Sequence, residues 1–269
     1  MKIYDKKLAY PYFVWMVLFT VVPLFIVVYY AMTDAEGNFT LNNLTSISGY
    51  GSVFARSLLL ALIATVICLI IAFPVGYFLS RLRVNKQHIM LMLVMLPMWM
   101  NFLLRTYAWM GLLSVNGPVN TLLGFIGLGP YTMLNTSGAV VLGMVYNYVP
   151  YMILPLYTSM TKIDQSLVEA AEVDGATKLQ CFWKIKWQQI KPTTLYILVI
   201  TTINSFQCFA LIQLLTSGGP NHSTDTIMYY IYHTAFKLYR YGYGNAMGVV
   251  LAIAIAILSG IQFKVAQSD

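Results

Sequence analysis

Polar side chains recur on one face of an otherwise apolar segment near residue 200. They are Thr201, Asn204, Ser205 and Cys208, and their i, i+3, i+4, i+7 spacing is that of one helical face. An earlier apolar segment has a second patch, made of Asn147, Tyr148 and Tyr151. Side chains of these types donate and accept hydrogen bonds, and tyrosine rings also attract cations. The patches predict a polar pathway, and the alternative is hydrogen bonding between neighbouring helices.

Arg105 is a cation well inside a third apolar segment, and Asn101 lies one helical turn before it. A charged group in such a segment is costly and usually has a function, so we add Arg105 to the candidate pathway residues. The alternative is a structural role, in which the long side chain extends to the end of the segment and reaches water.

Residues 162–192 differ from the rest of the chain because they hold four of the nine acidic residues and five of the sixteen basic ones. This block contains the run EAAEVDGATKLQ. Alanine favours a helix, and Gly175 can end one because it tolerates positive φ. We predict a short helix that presents Leu167, Val168, Ala170 and Ala171 on one flat face. A second short helix through Phe182 and Ile185 should complete a rigid knob.

Catalytic motifs are missing from the sequence, which contains no GxxxxGK[ST], HExxH or GxSxG pattern. His222 and Asp225 are close in sequence, but they fall in a predicted loop. The three cysteines show no CxxC spacing, which argues against zinc and against a disulfide framework. We therefore predict no catalytic residue, no metal ligand and no cofactor on this chain.

The composition indicates a membrane protein, because 59% of residues are hydrophobic, 9% are charged and the mean hydropathy is +0.70. Soluble domains are about one quarter charged. Six segments are long and apolar enough to span a bilayer: Ala9–Met32, Ser57–Ser80, Ile89–Leu113, Gly138–Met160, Thr193–Leu215 and Gly242–Phe263. Backbone groups in lipid must be bonded within their own segment, so we predict an all-α polytopic protein.

The net charge of +7 reflects membrane topology rather than nucleic-acid binding. If the N-terminus is cytoplasmic, twelve of the sixteen basic residues lie in cytoplasmic segments. The positive-inside rule then places both termini and the block at 162–192 in the cytoplasm.

The spacing of the charged block resembles the cytoplasmic loop of ABC-importer permeases. That family's pattern is EAA, three residues, Gly, nine residues, Ile, one residue and Leu-Pro. The match in this chain is Glu169-Ala170-Ala171, Gly175 and Ile185, whereas Trp187-Gln188 replaces Leu-Pro. The resemblance implies a type I permease fold, with 1–269 as a single transmembrane domain and 162–192 as its coupling loop. It also implies that Glu169, Ala170, Ala171, Asp174, Gly175 and Ile185 couple the chain to an ATPase.

The same resemblance implies a bacterial inner-membrane assembly. Its other members would be two ATPase subunits carrying ATP and Mg, a second homologous permease forming a heterodimer, and an extracytoplasmic solute-binding protein. Membrane lipid would surround the bundle. The alternative function from another class is an ion-coupled secondary transporter. Such a protein should show inverted repeats and ionisable groups at the membrane midplane, and neither is evident in the sequence. A non-transporting membrane scaffold would not need the EAA spacing.

The two halves of the chain resemble permeases for different solutes. Residues 10–175 look like spermidine/putrescine permeases, on the strings PMWMNFLLRTYAWMGLL and YVPYMILPLYTSMTKIDQSLVEAA. From about residue 174 the chain looks more like maltose or glycerol-phosphate permeases, on LLTSGGPNHSTDT and GYGNAMGVVLAI. Drift within one ancestry and a mosaic chain both remain open. We take a polyamine as the leading substrate and a sugar or glycerol phosphate as the alternative.

Overall fold

The structure is a computed structural model that describes residues 10–34, 36–46 and 50–267. Most of these residues are helical, and within these ranges the β structure is one isolated bridge between Thr33 and Phe39. This confirms the prediction of an all-α membrane protein.

The described helices follow one another along the chain with short connections. In order they are α1 (Tyr10–Ala31), α2 (Asn42–Thr45), α3 (Gly51–Ser80), α4 (Val84–Trp99), α5 (Phe102–Leu113), α6 (Pro118–Phe125), α7 (Ser137–Thr161), α8 (Gln165–Val173), α9 (178–206), α10 (Ala210–Leu215), α11 (227–237) and α12 (Tyr241–Gln267). Three of them contain one π-helical turn each, at Val17–Val21 in α1, Phe182–Lys186 in α9 and His233–Lys237 in α11.

The chain divides into two compact units. Unit 1 comprises the described residues up to Val53 together with Tyr230–Ile257, and unit 2 comprises Phe54–Tyr229 and the described residues from Leu258 onwards. The interpretation of 1–269 as one functional domain stays a prediction.

Four of the predicted spans form single helices that are long and apolar enough to cross a membrane, within α1, α3, α7 and α12. The other two are interrupted. The predicted span Ile89–Leu113 is broken between α4 and α5, with a bend of 88°, and counts as a fifth span only if the bent pair is taken together. The predicted span Thr193–Leu215 is interrupted after Phe206. The count of six spans therefore stays a prediction.

The bend between α4 and α5 has a local cause. Pro97 lies in the last turn of α4, and Met100 and Asn101 are extended, with ψ of 144° and 132°. The Asn101 side chain then accepts a hydrogen bond from the Leu103 amide at 2.8 Å and begins a new helix. Pro97 ends α4, and the N-cap residue Asn101 begins α5. The chain therefore forms two helices here, although hydropathy alone predicts one continuous span.

The core of unit 2 is built around α7, where 56% of the spanning window is buried. Met144, Met152 and Leu156 of α7 are fully buried in this cluster, and α9 packs along the same helix. In unit 1, a small cluster joins Ala31 to Ala246 and Met247. The span Tyr10–Ala31 is otherwise exposed within the described chain, which suits a surface covered by lipid or another subunit.

Candidate functional site: an elbow and a polar helix face

The predicted coupling loop forms an elbow, which we define as residues 164–186. Its first arm is α8. Asp164 caps α8, because its carboxylate accepts hydrogen bonds from the Ser166 amide at 2.9 Å and the Ser166 hydroxyl at 2.8 Å. The Ser166 hydroxyl and amide hold the pKa of Asp164 below its ordinary value. The cap is therefore charged at neutral pH, at the end of α8 where the helix dipole favours an anion.

We expect the stability of α8 to fall in acid. A lowered carboxyl pKa means that the stabilisation is complete above the ordinary value of 3.8 and is lost as pH falls through the lower folded-state value. Asp164→Asn keeps a capping oxygen without a charge, so it should be less stable than wild type at pH 7 and lose this difference in acid. Asp164→Ala should remove the cap at every pH. Thermal unfolding of purified protein between pH 7 and pH 3 measures both effects, and a wild-type advantage over Asp164→Asn that is as large at pH 3 as at pH 7 would contradict the assignment.

Gly175 forms the corner of the elbow. Its φ is +87°, its amide donates to the Glu172 carbonyl at 3.1 Å, and the Ala176 amide donates to the Ala171 carbonyl at 2.9 Å. These two bonds with a left-handed residue make a Schellman motif. The predicted end of the helix at Gly175 is confirmed, and the cause is the one expected from the residue type.

The second arm differs from the prediction of a separate short helix. A capping box between Thr177 and Gln180 starts α9, which then continues without interruption to Phe206. Trp187 and Gln188 are helical, so the elbow runs directly into the segment predicted as the fifth span. The prediction was wrong because Trp187-Gln188 stands where the family has Leu-Pro, so no proline breaks the helix at 187–188. Pro192 lies farther along, inside the same helix.

The predicted coupling residues point in different directions. Ala171 and Ile185 pack against the core of unit 2, whereas Glu169, Ala170 and Asp174 are exposed. Val168 is buried and Leu167 is exposed, so the expected single flat face is in fact divided between two sides of α8. The helical period separates neighbours by about 100°, which explains the division.

The elbow carries an exposed apolar surface, of which only Leu167 was predicted from the sequence. Four large apolar side chains there are each more than half exposed: Leu167, Val173, Leu179 and Trp183. Apolar side chains exposed together in a charged loop often mark a protein contact. The available signal was the presence of Trp and Leu in an otherwise polar segment.

A cavity of about 780 Å³ lies between the elbow and the end of α3. Arg81 lines it and donates to the Gln165 side-chain oxygen at 3.0 Å, which ties α8 to the turn after α3. Glu169, Glu172, Lys178 and Lys186 also line the cavity. The elbow is therefore connected to the rest of unit 2 by a direct contact with the end of α3 as well as along the continuous α9.

The polar face of α9 is mostly turned into the protein. Thr201, Ser205 and Cys208 are buried, whereas Asn204 is exposed. The Cys208 carbonyl accepts a hydrogen bond from Thr226 at 2.7 Å, just after the end of α9. Neither residue is helical, so this bond does not decide between the pathway and the helix-to-helix bonding considered for this face.

The two predicted polar patches meet at one point. The Tyr148 hydroxyl donates to the Asn204 carbonyl at 3.0 Å and joins α7 to α9 near its end. Asn147 is half-buried and Tyr151 is 58% exposed. The exposed part of the predicted pathway therefore consists of Tyr151 and Asn204, with Tyr148 and Asn147 beside them. Solute contact by any of the eight predicted pathway residues stays a prediction.

Arg105 lies in α5, beyond the bend. Its guanidinium carbon is 6.0 Å from the centre of the Tyr146 ring on α7, a cation–π distance. Its Nε is buried and makes no hydrogen bond to the described residues. Arg105 thus links α5 to the helix that carries Asn147 and Tyr148.

We expect Arg105→Leu to reduce solute uptake severalfold while leaving the amount of assembled complex unchanged, because the contact with Tyr146 is lost but the apolar packing volume is largely kept. Arg105→Lys, which retains a cation above the ring, should retain more uptake. Uptake in cells, normalised to membrane-inserted complex, measures the effect. Wild-type uptake by Arg105→Leu would remove this residue from the pathway.

His222 and Asp225 form a structural contact in the loop after α10. His222 Nδ1 lies 2.7 Å from Asp225 Oδ2, and Asp225 is completely buried. Arg56 donates to the His222 carbonyl, and a Cβ at Gly218 would collide with the Asp225 carboxylate. The carboxylate is thus enclosed by its own loop, an arrangement suited to holding that loop in shape.

Comparison with known proteins identifies the relatives of this chain. The profile of the family described as "binding-protein-dependent transport system inner membrane component" matches residues 72–267. The chain is 30% identical over 263 residues to the spermidine/putrescine transport system permease protein PotB of Haemophilus influenzae, covering 94% of this chain and 90% of that protein. That match continues beyond residue 175. The sn-glycerol-3-phosphate transport system permease protein UgpA of Brucella abortus is 32% identical over 128 residues, covering 47% and 44%.

Among solved structures, a bacterial ABC transporter involved in the import of the acidic polysaccharide alginate superposes with a TM-score of 0.79. The sequence identity is 21%, and the match covers 96% of this chain and 93% of that one. The likeness establishes the fold as that of an ABC importer permease. Both resemblances derived from the sequence are confirmed.

Proposed function

This chain belongs to the family of binding-protein-dependent transport system inner membrane components, and from that membership we propose that it forms the translocation pathway of an ATP-driven importer for a polyamine such as spermidine or putrescine. The observation that supports this substrate most strongly is the 30% identity to a spermidine/putrescine permease along 94% of the chain. The importer class itself follows from the family and the fold.

We propose that the elbow receives the motion of an ATP-hydrolysing partner. The exposed Leu167, Val173, Leu179 and Trp183 offer an apolar contact area, and Glu169, Ala170 and Asp174 lie on the same exposed loop. Gly175 sets the angle of the corner, while Ala171 and Ile185 fasten the elbow to unit 2. The partner would hold ATP and Mg, for which this sequence has no phosphate-binding loop.

The remaining partners follow from the same proposal. Two ATPase subunits would bind the cytoplasmic elbows of this chain and of a second, homologous permease, and a solute-binding protein would deliver the cargo from outside. We propose a heterodimeric pair of permeases with both termini of this chain in the cytoplasm, since twelve of sixteen basic residues then face inward.

The pathway would bind its cargo without a carboxylate. The described acidic residues lie in loops, in the elbow or in the buried loop contact of Asp225. A polyamine would therefore meet tyrosine rings and amide or carbonyl oxygens, such as those of Tyr151 and Asn204, by cation–π attraction and hydrogen bonding. Weak contacts of this kind suit a pathway that must release its cargo.

Glycerol phosphate is the second candidate cargo, because the UgpA protein of Brucella abortus matches 47% of the chain at 32% identity. An anionic phosphate would favour Arg105 as a direct contact, whereas for a polycation Arg105 would act only through its contact with Tyr146 on α7.

The deciding experiment is ATPase activity of the full complex in nanodiscs, with its own solute-binding protein and either spermidine, putrescine, maltose or sn-glycerol-3-phosphate. We expect stimulation by a polyamine and not by the sugar or the phosphate ester. Stimulation by sn-glycerol-3-phosphate alone would replace the polyamine assignment. A complex without any ATPase activity dependent on the binding protein would contradict the importer proposal itself. Omitting the binding protein provides the control.

A further inference from the structure

A pocket of about 710 Å³ lies within unit 1, and its lining residues belong neither to the elbow nor to the polar face of α9. Its volume falls in the range of roughly 300–1,000 Å³ typical of small-molecule sites. Its lining includes Tyr30, Asp34, Asn43, Arg240 and Tyr241. The lining is polar and aromatic, unlike the apolar surfaces of α1 and α12.

We expect the pocket to lie at the depth of membrane head groups, because it adjoins the ends of two candidate spans. The first span ends at Ala31 and the last span begins at Tyr241, and the pocket is lined by residues at these two ends, Tyr30 and Tyr241 among them. Tyrosine is enriched at the boundary between membrane and water. One helical turn deeper than Tyr30, the side chain of Ile26 is exposed, so an apolar surface adjoins the pocket on its membrane side.

The pocket contains one charge of each sign. Asp34 accepts hydrogen bonds from the Asn38 and Glu36 amides at 2.7 and 3.0 Å. The Asn38 amide is the main reason that the pKa of Asp34 lies below its ordinary value. The second oxygen of Asp34 accepts a long hydrogen bond of 3.4 Å from the Asn38 side chain. Arg240 has no salt bridge to any carboxylate of the described residues, so neither charge of the pocket is neutralised by an ion pair there.

Tyrosine hydroxyls form the wall beside Arg240. Tyr50 is 4.7 Å from Tyr230 and 5.5 Å from Tyr243, measured between ring centres. Hydrogen bonding with the Tyr230 hydroxyl is the main cause that lowers the pKa of Tyr50, and the charge of Arg240 adds to this effect. Tyr243 also donates to the Ser46 carbonyl at 3.1 Å. The wall is thus a connected set of hydroxyl groups within the field of one guanidinium.

We propose that this pocket binds the head group of a phospholipid that carries a phosphate diester and a primary ammonium group. Arg240 and the neighbouring hydroxyls hold the phosphate, because a guanidinium forms paired, charge-assisted hydrogen bonds with phosphate oxygens. Asp34 and the ring faces of Tyr30 and Tyr241 hold the ammonium. The acyl chains lie along the exposed apolar surface of α1.

The charges argue against the other ligands of this size. A polycation would be repelled by Arg240, and a purely anionic lipid would leave Asp34 facing a negative group. A free phosphodiester of the same chemistry satisfies both charges but makes no use of the apolar surface beside Ile26. The lipid is therefore the occupant that matches all parts of the site.

Native mass spectrometry of the delipidated full complex, titrated with single lipids, tests the proposal. We expect phosphatidylethanolamine to bind at least about tenfold more tightly than phosphatidylglycerol, which lacks the ammonium, or phosphatidylcholine, whose methyl groups remove its hydrogen-bond donors. Soluble glycerophosphoethanolamine at the same concentration should not compete. Competition at equal concentration would assign the pocket to a free phosphodiester and overturn the lipid proposal.

Two variants and a matched control complete the test. Arg240→Gln should weaken phosphatidylethanolamine binding about tenfold or more, and Asp34→Asn should abolish the preference over phosphatidylglycerol. Lys237→Gln removes a nearby exposed cation that does not line the pocket, and binding should be unchanged. Wild-type affinity in Arg240→Gln, or an equal loss in Lys237→Gln, would overturn the proposal.

Discussion

Gly175→Pro should abolish co-purification of this chain with an ATPase subunit while leaving the chain inserted in the membrane. Proline holds φ near −65°, whereas Gly175 has φ of +87°. Proline also lacks the amide that donates to the Glu172 carbonyl. Both changes open the corner between α8 and α9, so the exposed apolar side chains of the elbow lose their relative positions. Affinity purification followed by measurement of complex-bound ATPase checks the result.

Gly37→Pro is a matched control for that experiment. Gly37 also has positive φ, at +88°, and its amide also donates a hydrogen bond, to the Asp34 carbonyl. The backbone penalty is comparable, of the order of 1–3 kcal/mol for the strained conformation, but the position is outside the elbow. We expect Gly37→Pro to retain the ATPase. Loss of the ATPase in both variants, or in neither, would show that the elbow is not the coupling element.

Gly143→Val should destabilise unit 2 by about 1–3 kcal/mol, the usual cost of overpacking a well-filled core. A Cβ at Gly143 would lie 2.8 Å from both terminal methyl carbons of Leu211. Leu211 is only 1% exposed, so it has little space into which to move. The substitution forces α7 away from α10, the short helix that follows the interruption after α9.

Gly138→Val provides the comparison within the same helix. A Cβ there meets nothing closer than the Thr136 hydroxyl at 3.7 Å, so it should be tolerated. Thermal unfolding in detergent, followed by fluorescence-detected gel filtration, measures both variants. Equal stability of Gly143→Val and Gly138→Val would mean that the contact between α7 and α10 relaxes freely.

Local chemistry made several features predictable from sequence. Apolar length placed α1, α3, α7 and α12, because the hydrophobic thickness of a bilayer requires about 20 residues. The corner at Gly175 was predictable because glycine alone tolerates its backbone conformation without cost. The family was predictable because the spacing of Glu169, Gly175 and Ile185 matches the family's pattern. These residues fall within one charged loop between two predicted spans.

The sequence alone determined the class of protein, the approximate spans and the position of the elbow, since composition, hydropathy and turn residues act over a few helical turns. Only the tertiary structure decided which polar side chains of α9 are buried and that Tyr148 bonds to the Asn204 carbonyl. It also showed that α9 is continuous, and it brought the ends of two distant spans together around Arg240 and Asp34. The continuity of α9 has a local cause at 187–188, but the other features depend on contacts between residues up to about two hundred positions apart. No local pattern encodes such contacts.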